Sequence, residues 1–389
     1  MDLTVPAEDI AFRVEIREWL EMHKPDSMPV LDSAEGFAAH REWERTLFDA
    51  RLSAVSWPRE YGGRGASLWQ WLIFEEEYYR AQAPVRVSQN GLFLLAPTLF
   101  EYGTPEQRDR FLLRMARADD IWAQAWSEPG AGSDLASLRA AAARVDGGWR
   151  LNGQKIWSTR APFADWCFGL FRSDQDGQRH RGLTYYLVPL NAPGVTVRPI
   201  DQLDGNPSFG EIFFDDVFVP DTDVLGEVNG GWRVAMATAS SERGLSLRSP
   251  GRFLASAERL LQLCREIGDD APASLREDVA QLWMEADAYR LSTAKTVSRM
   301  NDGQTPGAEM SMNKIFWSEL DVRLHATAMH LLGDRAELTP AAPAAPGAAG
   351  TGHWSQDWLF SLPGPIWGGA NEVQRTIVAE RVLGLPRGR

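Results

Sequence analysis

The sequence predicts an α+β multidomain chain: a helical region, then a β region, then a second helical region. Three observations carry that expectation. Apolar residues recur at near-helical spacing as far as about residue 118, short apolar runs separated by Gly, Pro, Asn and Asp fill 119–228, and helical spacing returns beyond Gly231. A chain of 389 residues is long enough for two or three domains with substantial cores. The changes of texture divide it at 1–118, 119–228 and 229–389.

In the first region Ile10, Val14 and Leu20 mark one helix, and LWQWLIFEEEYYRAQ, rich in helix formers, marks a later one. Glu75, Glu76 and Glu77 fall inside that stretch; neighbours on a helix point in different directions, so they read as a solvated face without chemistry. The middle region contains GWRLNG, DWCFGLF, GLTYYLVP, GVTVRPI and GEIFFDDVFVP, the signature of a β sandwich or barrel. In the last region Leu260, Leu261 and Cys264 share one helix, Leu282, Ala286 and Tyr289 a second, and Leu320, Leu324, Met329 and Leu331 a third. Pro250 and Gly251 predict a kink in the helix that begins near Gly231. The stretch TPAAPAAPGAAGTG, 339–352, reads as a loop between the last bundle helices.

Composition excludes several functions. With 40 basic and 53 acidic residues the net charge is −13, and no block of basic residues offers a surface to nucleic acid or an anionic membrane. The longest apolar runs, such as 92–97, fall far short of the roughly 20 residues of a membrane span. The N-terminus lacks the pattern of a signal peptide, so a cytoplasmic location is expected. Cys167 and Cys264 have no partner at metal-ligand spacing and read as buried packing residues, and the six histidines show neither metal nor triad spacing. No metal is expected, and an anionic cofactor would have to be held by backbone donors.

Two stretches suggest such donors. In WAQAWSEPGAGSDLAS, 122–137, an apolar strand enters a turn whose Gly130 and Gly132 would expose N–H groups to a phosphate; a tight β turn would leave the same signature. Leu135 stands where a third glycine would complete G-x-G-x-x-G, which disfavours a nicotinamide dinucleotide. In LNGQKIWSTR, 151–160, residues i and i+2 of a strand share a face, so Trp157 and Thr159 should project together. An indole beside a hydroxyl suits one side of a flavin, and equally a core Trp in a sheet.

Taken in order, SEPGAGSD, KIWST and the closing GGANEVQR resemble the acyl-CoA dehydrogenase family of flavoproteins. SWPREYGG (56–63), EYGTPEQRDRFL (101–112) and FFDDVFVP (213–220) extend the resemblance over nearly the whole chain. It implies an N-terminal helical domain, a middle β barrel or sandwich and a C-terminal four-helix bundle, with FAD bound between the last two in a homodimer or homotetramer. It implies α,β-dehydrogenation of an acyl-CoA, or of an acyl-carrier-protein thioester, to the trans-2-enoyl product, with an electron-transfer flavoprotein as electron acceptor. A non-catalytic subunit of a heteromeric dehydrogenase and a flavin monooxygenase or oxidase are the competing readings on the same fold.

Carried over by motif, Gln124, Trp126 and Ser127 meet the pyrimidine edge of the flavin, Gly132 and Ser133 hold the pyrophosphate and border the substrate, and Trp157, Ser158 and Thr159 contact the isoalloxazine ring. Gly369 and Glu372 are carried to the cofactor side, and Trp367 and Gly368 to the substrate side, the Gly368 N–H facing the thioester carbonyl. Many family members place the catalytic glutamate at the position of Gly368. A branch of the family places its base at an ER pair on the first bundle helix, here Glu242 and Arg243, which makes Glu242 the expected base and Arg243 a mainly structural neighbour at the substrate. Arg179, His180 and Arg181 read as a solvated hairpin tip and not as a CoA contact. CREIGDD, 264–270, lacks the R-x-x-F-G pattern by which many relatives hold FAD from a neighbouring subunit, and Ala370 stands where Thr or Ser is common.

Overall fold

Helices of the first region begin where the sequence supplies caps. The computed structural model describes residues 6–177, 179–243, 249–304, 306–337 and 354–386, with backbone alone for 241–243. Helix α1 (Ala7–His23) follows Pro6, and α2 (Ala34–Asp49) follows Ser33, whose hydroxyl accepts the Gly36 N–H at 3.0 Å. A reciprocal capping box between Ser67 and Gln70 starts α3 (Leu68–Arg80). A π-helical turn, Asn90–Leu95, runs into α4 (Ala96–Tyr102), and a second capping box, Thr104 with Gln107, starts α5 (Pro105–Ala116). The apolar stripes of α1, α2 and α3 meet around Ile16, Leu20, Leu47, Leu72 and Phe74.

Among the described residues eight strands follow: β1 (Trp122–Ala125), β2 (Ala141–Val145), β3 (Gly148–Thr159), β4 (Trp166–Arg172), β5 (Leu183–Pro189), β6 (Val195–Ile200), β7 (Phe209–Pro220) and β8 (Val224–Leu225). They form one hydrogen-bonded path, β6-β7-β3-β2-β4-β5-β8, with β1 running parallel beside β4. One set of side chains, including Leu151, Phe171, Tyr186, Ile212 and Val217, closes a core within the β region. Another set, including Trp122, Phe168 and Tyr185, packs on the π turn, α4, α5 and the first helix of the last region.

That helix, α6 (Gly231–Arg243), is a wedge: its Val234, Ala235 and Ala239 share a core with Leu94 and Leu99 of the first region and Leu170, Leu183 and Tyr185 of the second. The long helices α7 (Pro250–Ile267), α8 (Ala273–Asn301) and α9 (Met310–Leu332) then enclose Phe253, Leu260, Tyr289, Trp317 and Leu324. Short helices α10 (Trp354–Ser361) and α11 (Asn371–Ile377) close the bundle. The Ala/Pro segment 339–352 lies outside the described residues. Cys167 and Cys264 are buried and unbonded, as packing residues should be.

Two sequence expectations are corrected. Pro250 does not kink a continuous helix: it is the first residue of α7, where its missing N–H has no helical partner to lose, and Ser249 caps it through the Gly251 N–H at 3.2 Å. Nor is the glutamate triplet a solvated face. Glu75 is 5% exposed and Glu77 1%, because α3 is gripped by α1 on one side and α7 on the other. Burial would raise the Glu77 carboxyl, yet Arg17, Arg13 and Arg80 close on it at 2.8 to 3.0 Å and hold it at about 2. Glu75 turns the other way, where burial pushes it up to about 7 against the pull of Arg86 and the Ser249 hydroxyl. Helix α7 comes so close there that a Cβ on Gly251 would stand 2.8 Å from the Glu75 carbonyl oxygen.

A carboxyl raised in the fold from 4.5 to about 7 favours the folded state at low pH and loses that contribution as pH rises through the folded value. Relative to Glu75→Gln, the parent should therefore lose on the order of 3 kcal/mol of unfolding free energy between acid and mildly alkaline pH. Urea unfolding of both proteins across that range measures the difference, and parallel curves would show that Glu75 does not titrate there.

Candidate active site

The turn after β1 is built by hydrogen bonds that start from Glu128. Its backbone exchanges N–H···O bonds with Ala131 at 2.9 and 3.0 Å, folding Pro129 and Gly130 over the top. Its carboxylate accepts the N–H groups of Arg139 and Ala140 at 2.7 and 2.8 Å, and the Lys155 ammonium at 2.8 Å. Lys155 Nζ also donates to the Trp126 carbonyl at 3.3 Å, and the Ile156 N–H to the Ser127 carbonyl at 2.9 Å. The two sequence motifs are thus stitched side by side by a lysine with no exposed surface. Burial lowers the Lys155 pKa and Glu128 opposes that shift. Trp126 is buried, Gln124 and Ser127 are half-buried, and Gly132 and Ser133 are exposed. A Cβ on Gly130 or Gly132 would meet no atom within 4 Å, so the outer face of the turn is open.

Strand β3 presents its residues for a reason that simple alternation does not give. Lys155 faces the core, and by strict i, i+2 spacing Trp157 would follow it inward. A bulge between Lys155 and Ser158, with Trp157 in the left-handed region at φ 60°, inserts one residue and resets the faces. Trp157 is left 57% exposed and Thr159 half-buried, while Ser158 is fully buried and its Oγ has no hydrogen-bond partner among the described residues. Beyond Thr159, the Arg160 Nη1 donates to the Arg86 carbonyl at 2.7 Å, and Arg86 is paired with buried Glu44 at 2.7 Å, which ties the end of the strand to the segment leading into the π turn.

Phe209, the cross-strand partner of Thr159, links this strand to the closing motif. Its ring meets Trp157 at 6.2 Å between centroids on one side and Trp367 at 6.1 Å on the other. Trp367 leads into Gly368 and Gly369, both in the left-handed region at φ 64° and 91°, where a side chain is strained; the glycine pair is a requirement of the turn itself. Asn371 anchors that turn from within: its Oδ1 accepts Lys314 Nζ at 2.8 Å, and its amide donates to Ser318 and Glu319 at 3.1 and 3.2 Å. Gln374 donates to the Gly369 carbonyl at 3.3 Å. Glu372 is exposed on the first turn of α11.

The fold therefore brings 124–133, 157–159 and 367–369 to one region. The exposed tip Arg179 reaches Asp134 at 3.2 Å, and His180 and Arg181 are exposed with it. Glu242 and Arg243 end α6, and their side chains lie outside the described residues. Sequence reasoning missed Glu128, Lys155, Lys314 and Asn371. The first two carried a signal as opposite charges inside the two motifs; Lys314 carried none. An open glycine turn, an exposed indole and a buried hydroxyl without a partner fit a large, planar, anionic cofactor of the flavin dinucleotide kind. Among the described residues no group of three or more His, Cys, Asp or Glu could hold a metal, and no helix is long and apolar enough to cross a membrane.

Comparison with known proteins identifies the family and the fold. The N-terminal, middle and C-terminal domain models of acyl-CoA dehydrogenase match residues 6–119, 123–217 and 229–383. The acyl-CoA dehydrogenase IpdE1 of Mycolicibacterium smegmatis is 39% identical over 97% of both chains. Among solved structures, a steroid ACAD named Tcur3481-Tcur3483 is 30% identical with a TM-score of 0.87 over 100% of both chains. The ChsE4-ChsE5 complex from Mycobacterium tuberculosis is 30% identical with a TM-score of 0.84, again over 100% of both chains. The chain belongs to the acyl-CoA dehydrogenase family. It is an acyl-CoA dehydrogenase, an oxidoreductase with the α+β architecture described above.

Replacing Lys155 by Met should cost roughly 3 kcal/mol, because it leaves the Glu128 carboxylate buried without its countercharge. Urea unfolding measures this, and an unshifted midpoint would mean that the pair does not hold the turn.

Proposed function

We propose that this chain, a cytoplasmic three-domain enzyme divided near residues 118 and 228, binds FAD and oxidises the α,β bond of an acyl-CoA to the trans-2-enoyl thioester, with Glu242 as the base. The observation that carries the reading is the aromatic line Trp157–Phe209–Trp367, which joins the strand proposed to face the flavin to the turn proposed to hold the thioester. FAD, when bound, supplies the hydride acceptor. Trp157 gives a flat surface to the ring, with Ser158 and Thr159 beside it as hydroxyl donors. Gln124, Trp126 and Ser127 border the pyrimidine edge, Gly132 and Ser133 offer N–H groups to the pyrophosphate, and Gly369 and Glu372 approach from the C-terminal helices. The Gly368 N–H donates to the thioester carbonyl, which acidifies the α carbon, and Trp367 and Arg243 border the thioester. Since position 368 has no side chain, the acid must come from another element, and Glu242 at the end of α6 is the acid the ER pair supplies.

The acyl group is proposed to be derived from a steroid acid, because a relative 30% identical over the whole chain is named as a steroid ACAD. An electron-transfer flavoprotein is the proposed electron acceptor. A homo-oligomer follows from the family resemblance, while pairing with a different chain of the same fold is the second reading, favoured by two solved relatives being named as pairs of proteins.

The purified protein should be yellow and carry FAD. Anaerobic titration with octanoyl-CoA, isobutanoyl-CoA and the CoA thioester of a C24 steroid acid should bleach the flavin with the steroid thioester at the lowest concentration; no bleaching by any of the three would defeat the reading. Trp157→Ala should weaken FAD retention. Glu242→Gln should keep the fold and FAD but slow flavin reduction by about 10²- to 10⁴-fold. Reduction at the parent rate would place the base elsewhere.

A further inference from the structure

Three hydroxyls meet where the three regions of the chain join. Thr98 Oγ1 on α4 lies 2.8 Å from Thr238 Oγ1 on α6, and Tyr185 Oη on β5 lies 3.2 Å from the same Thr238 oxygen. All three side chains are buried, at 1% exposure or less. Thr98 also reaches the Leu94 carbonyl in the π turn at 3.0 Å, and Thr238 the Val234 carbonyl at 3.1 Å. A hydroxyl has one proton to give. One arrangement has Tyr185 donate to Thr238, Thr238 to Thr98 in place of the Val234 carbonyl, and Thr98 to the Leu94 carbonyl, so that each hydroxyl proton has an acceptor.

The other buried side chains of α6 are the small Val234, Ala235 and Ala239, with Trp232 and Met236 packed against the same core. Directional bonds from Thr238 to two other elements add a constraint on register that apolar packing lacks. On the far side Tyr185 meets Trp126 edge to face at 6.3 Å, so the same hydroxyl chain refers α6 to the turn proposed to hold the flavin. Thr238 stands four residues, one turn, before Glu242.

We propose that Thr238, held between Tyr185 and Thr98, is a positioning residue for the dehydrogenation, fixing the depth of α6 and with it the reach of the base toward the thioester-binding turn. This rests on the assignment of Glu242 as the base. A displacement of an ångström at a reacting group costs on the order of 10²-fold in rate.

The test compares Thr238→Val, which keeps shape and loses the hydroxyl, with Thr238→Ser, which keeps the hydroxyl. The holoenzyme is mixed anaerobically with whichever of octanoyl-CoA and the steroid-acid CoA thioester reduces the parent. The Val variant should keep its FAD and its half-saturating thioester concentration to within about twofold, yet reduce its flavin at least about tenfold more slowly, with Ser restoring most of the rate. Backbone amides of 235–240 should exchange with deuterium faster in the Val variant and at the parent rate in the Ser variant. A Val variant as fast as the parent, a Ser variant as slow as Val, or unchanged exchange in Val would each overturn the proposal. If Val does not fold, Tyr185→Phe removes the donor at the start of the chain and should give the same pattern. Glu242→Gln measured alongside separates the two ideas: parent-like reduction by that variant defeats the base assignment, whatever Thr238 does.

Discussion

The ion pair between Lys155 and Glu128 is the constraint on which the site depends. An ammonium with no exposed surface would be costly alone, and here it is matched by a carboxylate that already accepts two backbone N–H groups. The same lysine bonds the carbonyl before Ser127, so the turn after β1 and the bulged end of β3 cannot move independently. Trp157 is exposed because the bulge beside this pair turns it outward, and the open face of the glycine turn persists because Glu128 closes the turn from below. A local electrostatic match thus becomes the geometry of a cofactor cradle.

The regions are joined by polar contacts set in apolar surroundings. Arg86 with Glu44 draws the end of β3 toward the first helical region, Glu75 meets Ser249 at the start of α7, and the hydroxyls of Thr98, Thr238 and Tyr185 cross all three regions. Apolar burial supplies most of the stabilisation at such junctions but says little about register, since Ala and Val surfaces slide over one another cheaply. Directional donors and acceptors fix the register, and an unmade bond in a dry junction is expensive. Catalysis across a domain boundary needs that kind of precision.

Much of the architecture was legible in the sequence. The shift from helical spacing to short Gly- and Pro-bounded runs follows from the different periods of helix and strand. Three features were not legible from residue pattern alone. Glu75 and Glu77 look solvated until α7 and α1 close on α3 from opposite sides. Pro250 looks like a kink until Ser249 is seen to cap a new helix. Strict alternation from Lys155 would turn Trp157 inward, and the residue inserted against β7 between Lys155 and Ser158 turns it out. At the site, most motif residues could be named in advance, while the support Lys314 could not, because a lysine near the start of a helix shows no sign that its partner lies 57 positions away.

The paired left-handed glycines at 368 and 369 also bear on how such a site can change. A side chain of ordinary handedness at either position would carry about 1 to 2 kcal/mol of backbone strain. With the base proposed on α6, an acid placed at 368 would have to bear that strain within a turn anchored by Asn371 and Lys314. Backbone conformation at the turn, as well as the chemistry of a carboxylate, thus weighs on where an acid can stand.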